Sequence, residues 1–248
     1  MVVLKTSKEL AKMRKAGSIT AQALQVAGTA LHPGITTGEV DRIIKSFIVS
    51  KGAKPSFLGY GGFRGSACIS INDEVIHGIP GKRVINEGDI VSVDVGAFID
   101  GYHGDSAFTF PVGKVSQEAQ ALMDATRDSL AAAIAVAQVG ARIGDISHAV
   151  QSFVEPLGYG VVREYVGHGV GRELHQEPEV PNYGRPGHGI RLMPGMTIAI
   201  EPMINEKSAA IRVLDDEWTV VTADHKLSAH FEHTIAITES GPVILTLP

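Results

Sequence analysis

The sequence predicts an α+β fold: two α+β halves related by a pseudo-twofold axis, with antiparallel sheet at the centre. The first observation behind this is a hairpin with an acid on each arm. Residues 90–97 (IVSVDVGA) and 106–112 are apolar and β-branched, and Asp100-Gly101 between them is a strong two-residue turn signal. That turn sets Gly96 opposite Asp105 and Asp94 opposite Ala107. Asp94 and Asp105 then become diagonal neighbours on one sheet face, about 7–8 Å apart at the backbone. Two carboxylates so close in a core repel each other and lose hydration, so they need a cation between them.

The second observation is internal repetition. GEVDRIIKSF at 38–47 matches GDISHAVQSF at 144–153 in pattern, and GDIVSVD at 88–94 matches GMTIAIE at 195–201. DSAFTF at 105–110 likewise matches EHTIAI at 232–237, each a carboxylate opening a strand, and His77-Gly-Ile-Pro80 resembles His175-Gln-Glu-Pro178. Residues 1–248 therefore read as a single domain whose halves span roughly 36–114 and 141–248, with four strand-borne carboxylates near the axis.

Thr6-Ser7-Lys8-Glu9 is a capping box that opens a first helix. Leu10, Met13, Leu24, Ala27 and Leu31 mark its apolar side, and Pro33-Gly34 ends it. Thr36-Thr37-Gly38-Glu39 opens a second helix, with Val40, Ile43, Ile44, Phe47 and Ile48 at helical spacing and Gly52 as the stop. Residues 56–65 (SFLGYGGFRG) form a glycine-rich loop with interleaved aromatics. A short strand follows over 67–71, then a turn over 72–80 that carries His77. After the hairpin, Ser116 caps a third helix containing Leu122, Met123, Leu130 and Ile134 and ended by Gly140, and 144–154 forms a fourth. Beyond Val161 the chain reads as a loop over 167–189 and strands near 196–200, 212–221, 231–238 and 243–247.

The 248 residues are 44% hydrophobic, enough for a large core. The net charge of −5 is spread along the chain and no basic stripe occurs, which argues against nucleic acid as the main ligand. A single cysteine, Cys68, allows neither an internal disulfide nor a thiolate cage and fits a reducing compartment. The N-terminal stretch lacks the apolar core of a signal peptide, and the apolar run 130–136 is too short to cross a bilayer. The location expected is cytoplasmic, with no membrane partner.

The residues that carry chemistry are Asp94, Asp105, Glu201, Glu232, His168 and His175. One acid in an apolar strand is commonly a structural hydrogen-bonder. Four at equivalent places in two repeats point to metal. Four carboxylates balance the charge of two divalent ions, and oxygen donors with imidazole favour Mn, Fe or Co, with Zn also compatible. Two ions a few ångströms apart suit hydrolysis, with a bridging water as nucleophile. His168 and His175 lie in the glycine-rich run 167–175 (GHGVGRELH). One serves as a ligand and the other as a hydrogen-bond donor to the reacting carbonyl. His77 has a site role as the repeat partner of His175. His233 points away from Glu232, and His103, His148, His188, His225 and His230 read as loop or surface residues.

Cys68-Ile-Ser-Ile-Asn72, His77-Gly-Ile-Pro80, Asp100-Gly-Tyr-His-Gly-Asp105, Gly167-His-Gly-Val-Gly-Arg172, Ile200-Glu-Pro-Met203, Trp218-Thr-Val and Phe231-Glu-His-Thr234 occur in this order along nearly the whole chain. In these motifs the chain resembles the type I methionine aminopeptidases of the bacterial short form. The 33 residues between His168 and Glu201 leave no room for the helical insertion of type II enzymes. The resemblance implies the pita-bread fold of the M24 metallopeptidases. It implies metal binding by Asp94, Asp105, His168, Glu201 and Glu232, with Asp105 and Glu232 bridging two divalent ions (Co, Mn, Fe or Zn). It implies substrate contacts from His77 and His175, and proton movement by Glu201. The substrate implied is the N-terminal methionine of nascent polypeptides whose second residue is small. A monomer is the default expectation, with the ribosome near its exit tunnel as a further candidate partner.

The resemblance also carries over a methionine pocket: Tyr60, Phe63, Cys68, His77, Leu174, His175 and Trp218 match positions that line it. A thioether chain suits such apolar, polarisable walls. Two positions depart from the common form: Phe57 stands where cysteine is usual, and Leu174 where phenylalanine is. Two other readings use the same residues. One is an X-Pro aminopeptidase or prolidase of the same fold, and the other is a catalytically inactive pita-bread binding protein. The first usually carries a separate N-terminal domain, whereas the capping box at Thr6 leads straight into the catalytic half. The second typically loses metal ligands, and all five are present.

Overall fold

The structure, a computed structural model, describes residues 2–248. Its centre is the predicted hairpin. Strands Ile90–Ile99 and Tyr102–Pro111 pair antiparallel with Gly96 opposite Asp105 and Asp94 opposite Ala107. Asp100 and Gly101 both take positive φ, 53° and 84°. That two-residue turn has a twist matching its strands, which is why it fixes the register. The other edge of the first arm carries strands Lys54–Pro55 and Ala67–Ile71.

Helices α1 (Ser7–Ala30) and α2 (Thr37–Ser50) both open with complete capping boxes, on Thr6 and Thr36. Ile19, Ala23 and Ala27 of α1 and Val40, Ile44 and Ile48 of α2 form one core with Val91, Val93 and Val95. Side chains alternate across a strand, so burying those valines against the helices turns Ser92 and Asp94 to the opposite face. Ile43, expected on the apolar side of α2, lies at its edge and is exposed. α1 lies close on the second hairpin arm because two glycines meet there: a Cβ on Gly104 would stand 2.6 Å from the Gly17 nitrogen.

In the second half, α3 (Gln117–Val136), capped by Ser116, and α4 (Ile143–Val154) cover a five-stranded sheet. Its strands run in the order Gly241–Ile244, His233–Thr238, Thr197–Ile200, Gly167–Gly169, Gln176–Val180. Leu122, Leu130, Ile146 and Val150 pack there on Ile198, Ile200, Ile235 and Ile237. Glu201 follows directly on the strand Thr197–Ile200.

The second hairpin arm and the segment 230–234 are joined by a seam rather than a regular ladder. Thr234 Oγ1 accepts the amide of Asp105 (3.1 Å) and donates to its carbonyl (2.7 Å). Thr109 Oγ1 does the same for His230, at 2.9 and 2.8 Å. Between them the Glu232 amide donates to Ala107 O (2.9 Å) and Ser106 Oγ donates to Glu232 O (2.6 Å).

Several expectations need correction. The loop expected over 167–189 contains strands Gly167–Gly169 and Gln176–Val180. The strand expected over 212–221 is two, Ile211–Val213 and Val220–Thr222. They are divided by a turn in which the Asp216 carboxylate accepts the amides of Trp218 and Thr219, an aspartate competing with the ladder for backbone donors. Glu74–Ile76 is a strand within the expected turn, and Met203–Asn205 and Ser228–His230 are further three-residue strands.

Candidate active site

The two sheets and the seam bring the four acids to one place. Asp105 and Glu232 lie inside the seam, 3% and 2% exposed, so their backbones are pinned by the hydroxyl contacts above. Asp94 reaches in from the first hairpin arm and Glu201 from the end of its strand, both half-buried. His168 approaches from Gly167–Gly169, its Nε2 3.4 Å from Glu201 Oε1 and 3.8 Å from Asp105 Oδ2. Its Nδ1 lies 2.9 Å from Gly169 O. A carbonyl only accepts, so the proton sits on Nδ1 and the Nε2 lone pair faces the acids, as in metal-ligating histidines.

Potential donor atoms fall into overlapping groups whose members lie within 4.8 Å of one another: Asp94, Asp105 and Glu232; His168, Glu201 and Glu232; Asp105, His168 and His175. Glu232 joins the first two. Asp94 Oδ1, Asp105 Oδ1 and Glu232 Oε1 are buried without a hydrogen-bond partner among the described residues. Burial first, then mutual repulsion, raises the carboxyls of Asp94, Glu201 and Glu232 well above the ordinary range. Burial lifts Asp105 to about 7. Burial and neighbouring His175 lower His168 to about 3, so it is neutral near pH 7. Unpaired acids and a neutral imidazole aimed at one point are a donor set that fits hard and borderline divalent cations. Adding Mn²⁺ at about 100 times its Kd is expected to stabilise the fold by about 2.7 kcal/mol. That is roughly 5–10 °C in Tm for a chain of this size, reversed by chelator, and a scanning-calorimetry Tm that ignores Mn²⁺ would contradict the fit.

Beside the acids lies a cavity of about 230 Å³. Phe57, Phe63, Cys68 and Leu174 make its buried apolar wall, and Trp218 packs on Phe63 with ring centroids 5.1 Å apart. Tyr60 and His175 form an exposed rim, with Tyr60 Oη 2.7 Å from His175 Nδ1. His77 stands edge-on to Trp218 at 6.1 Å and to Tyr165 at 5.5 Å. Its backbone holds a positive φ of 59°, and burial lowers its imidazole to about 4. Every residue singled out in the sequence as catalytic, metal-binding or substrate-binding lines this one cavity.

Two histidines read as surface residues are not. His103 is half-buried, packed on Phe98 and hydrogen-bonded to Ser56 Oγ at 2.9 Å, outside the donor groups. His230 is 2% exposed with Nε2 3.8 Å from Glu201 Oε2. The available signal was its place two residues before Glu232, which puts both on one face of an extended chain. His233 points away as expected, to Thr246 Oγ1.

The model of metallopeptidase family M24 matches residues 11–239. Methionine aminopeptidase 1 of Bacillus subtilis is 53% identical over 246 residues, covering 99% of each chain. Among solved structures, the methionine aminopeptidase of Thermotoga maritima superposes with a TM-score of 0.99 at 48% identity over the full length of both chains. The prolidase of Pyrococcus furiosus shares the fold, with a TM-score of 0.82 at 24% identity, but the match covers only 66% of that chain.

Proposed function

Since the chain belongs to metallopeptidase family M24, with relatives about half identical over its full length, we propose that it removes the N-terminal methionine from peptides and nascent proteins whose second residue is small. The observation that carries this is a single cavity with a sulfur- and aromatic-lined apolar wall on one side and the acid–histidine cluster on the other. The wall suits an unbranched thioether. The cluster suits hydrolysis at the bond that follows it.

In this reading Asp94, Asp105, His168, Glu201 and Glu232 would hold two divalent ions of the Co, Mn, Fe or Zn type, with Asp105 and Glu232 available to both. The membership of Glu232 in two donor groups supports that division. Such ions, when bound, would supply Lewis acidity toward the scissile carbonyl and the attacking water. Glu201 accepts the water's proton and returns it to the leaving amine. His175 donates to the carbonyl oxygen as charge develops: with the Tyr60 hydroxyl donating to Nδ1, its proton lies on Nε2. His77 contacts the peptide, and Phe63, Cys68, Leu174 and Trp218 enclose the methionine side chain.

The protein is an enzyme of one domain, with halves at 36–114 and 141–248. The support is that each half sends one acid from a sheet strand, Asp94 from within Ile90–Ile99 and Glu201 from directly after Thr197–Ile200, and one from the seam, Asp105 and Glu232. None of the described helices is long and apolar enough to cross a membrane. A substrate borne on new chains supports action in the cytoplasm near the ribosomal exit tunnel.

The test compares Met-Ala-Ser with Ala-Pro peptides on metal-reconstituted protein. Methionine release is expected at a kcat/KM about 10²-fold or more above X-Pro cleavage, a difference of about 2.7 kcal/mol in transition-state binding. Cleavage of the X-Pro bond alone would favour a prolidase. No cleavage of either would favour a binding protein.

A further inference from the structure

We propose that His230 is a positioning residue that holds Glu201 by its outer oxygen, Nε2–H to Oε2, and so presents Oε1 to the metal side of the site. The inference deepens the reaction proposed above and rests on Glu201 being its catalytic, metal-facing carboxylate.

Three observations carry it. His230 is buried, and its Nε2 has no hydrogen-bond partner among the described residues, although its nearest acid is Glu201 Oε2 at 3.8 Å. An unmet donor in a core costs about 1–3 kcal/mol, so its orientation requires a reason. A carboxylate swing of under about 1 Å brings the pair to hydrogen-bond length.

The backbone beneath the imidazole is fixed. Thr109 Oγ1 accepts the His230 amide and donates to its carbonyl, Ser92 Oγ bonds Thr109 Oγ1 at 2.8 Å, and the strand Ser228–His230 pairs with Met203–Asn205. The ring is thus aimed from a rigid support, the arrangement that holds a ligand carboxylate in one rotamer.

The two oxygens of Glu201 face two different imidazoles, His168 Nε2 at Oε1 and His230 Nε2 at Oε2. Their roles differ. His168 spends its proton on Gly169 O and shows the acids a lone pair. At Oε2 a lone pair would meet the carboxylate oxygen with repulsion, so the favourable tautomer of His230 is the Nε2–H form. One oxygen is left to the ions and the other is tied back. Outer hydrogen bonds of this kind typically set metal affinity and activity by about 10–100-fold.

The experiment replaces the donor while keeping the volume. Full-length His230→Leu and His230→Gln are titrated with Mn²⁺ by isothermal calorimetry, and kcat and KM for Met-Ala-Ser are measured. His230→Leu is expected to weaken Mn²⁺ binding about 10–100-fold and to lower kcat more than it raises KM. His230→Gln, whose amide donates with similar reach, is expected to restore affinity to within about 3-fold of the native protein. Native-like Mn²⁺ affinity in His230→Leu, or equal weakness in the two variants, would overturn the proposal. If His230→Leu does not fold, His230→Met, apolar and more adaptable, takes its place under the same criteria. A native protein that binds no Mn²⁺ sinks both this inference and the metal reading. Normal binding without methionine release sinks only the reaction, because the calorimetric comparison still decides the role of His230.

Discussion

Glu232→Ala lowers kcat/KM by about 10³-fold or more, the expected cost of losing about 4 kcal/mol of transition-state stabilisation. Of the four acids it is the most deeply placed, 2% exposed, and it alone stands in both the group with Asp94 and the group with His168 and Glu201. Its removal would take a donor from both proposed ion positions at once, and saturating metal is not expected to restore the rate. The same variant reads out a second way. In the metal-free protein Glu232 is a buried acid whose carboxyl is raised by burial and by Asp105, Glu201 and Asp94. Deleting it removes an unpaired group, so the chelator-treated variant melts at or above the temperature of the native apoprotein, while its Mn²⁺-dependent rise in Tm shrinks. Steady-state kinetics across a metal titration, with parallel calorimetry, check both. A native kcat in the variant contradicts a shared ligand.

The second large effect is at the rim. His175→Ala lowers kcat by about 10²-fold, the usual loss for one donor to a developing oxyanion. The Tyr60 hydroxyl lies 2.7 Å from Nδ1; in the proposed reaction it donates there, which puts the imidazole proton on Nε2. His175 also lies against His168, ring centroids 4.1 Å apart, which sets it beside the carbonyl that the cluster would attack. Tyr60→Phe removes only the orienting partner and falls between native and His175→Ala. A contact made equally in ground and transition states would raise KM and spare kcat, so an effect confined to KM contradicts the assignment.

The elements around the site were legible in proportion to how local their causes are. The hairpin register follows residue for residue from Asp100-Gly101 and the strand alternation. Helices α1 and α2 begin where Thr6 with Glu9 and Thr36 with Glu39 require. The acids stood out because each adjoins an apolar run in the sequence, although Asp94 and Asp105 lie inside their strands rather than at an end. Three-residue strands such as Glu74–Ile76 and Ser228–His230 are too short for a period to register, and they exist because longer neighbours pair with them. Gly167–Gly169 reads as loop because glycine has no strand preference. It is a strand because it fits between Thr197–Ile200 and Gln176–Val180, where a Cβ on Gly169 would meet Gln176 O at 2.9 Å. His230 was missed because a lone histidine near a strand end has no local signature, and only the tertiary fold turns it toward Glu201.

Threonines 109 and 234 each grip both backbone groups of the residue across the seam, so the proposed ligands Asp105 and Glu232 cannot be exposed by either half fraying alone. The amide hydrogens at 105, 230 and 232 are expected to exchange with solvent together, in hydrogen-exchange measurements, through an opening close to the whole stability of the chain, about 5–15 kcal/mol for a folded protein. The expected place for movement during turnover is the other wall, the glycine-rich turn bearing Tyr60 and the exposed His175. The ions would then rest on a base that does not breathe, while the substrate enters past a rim that can.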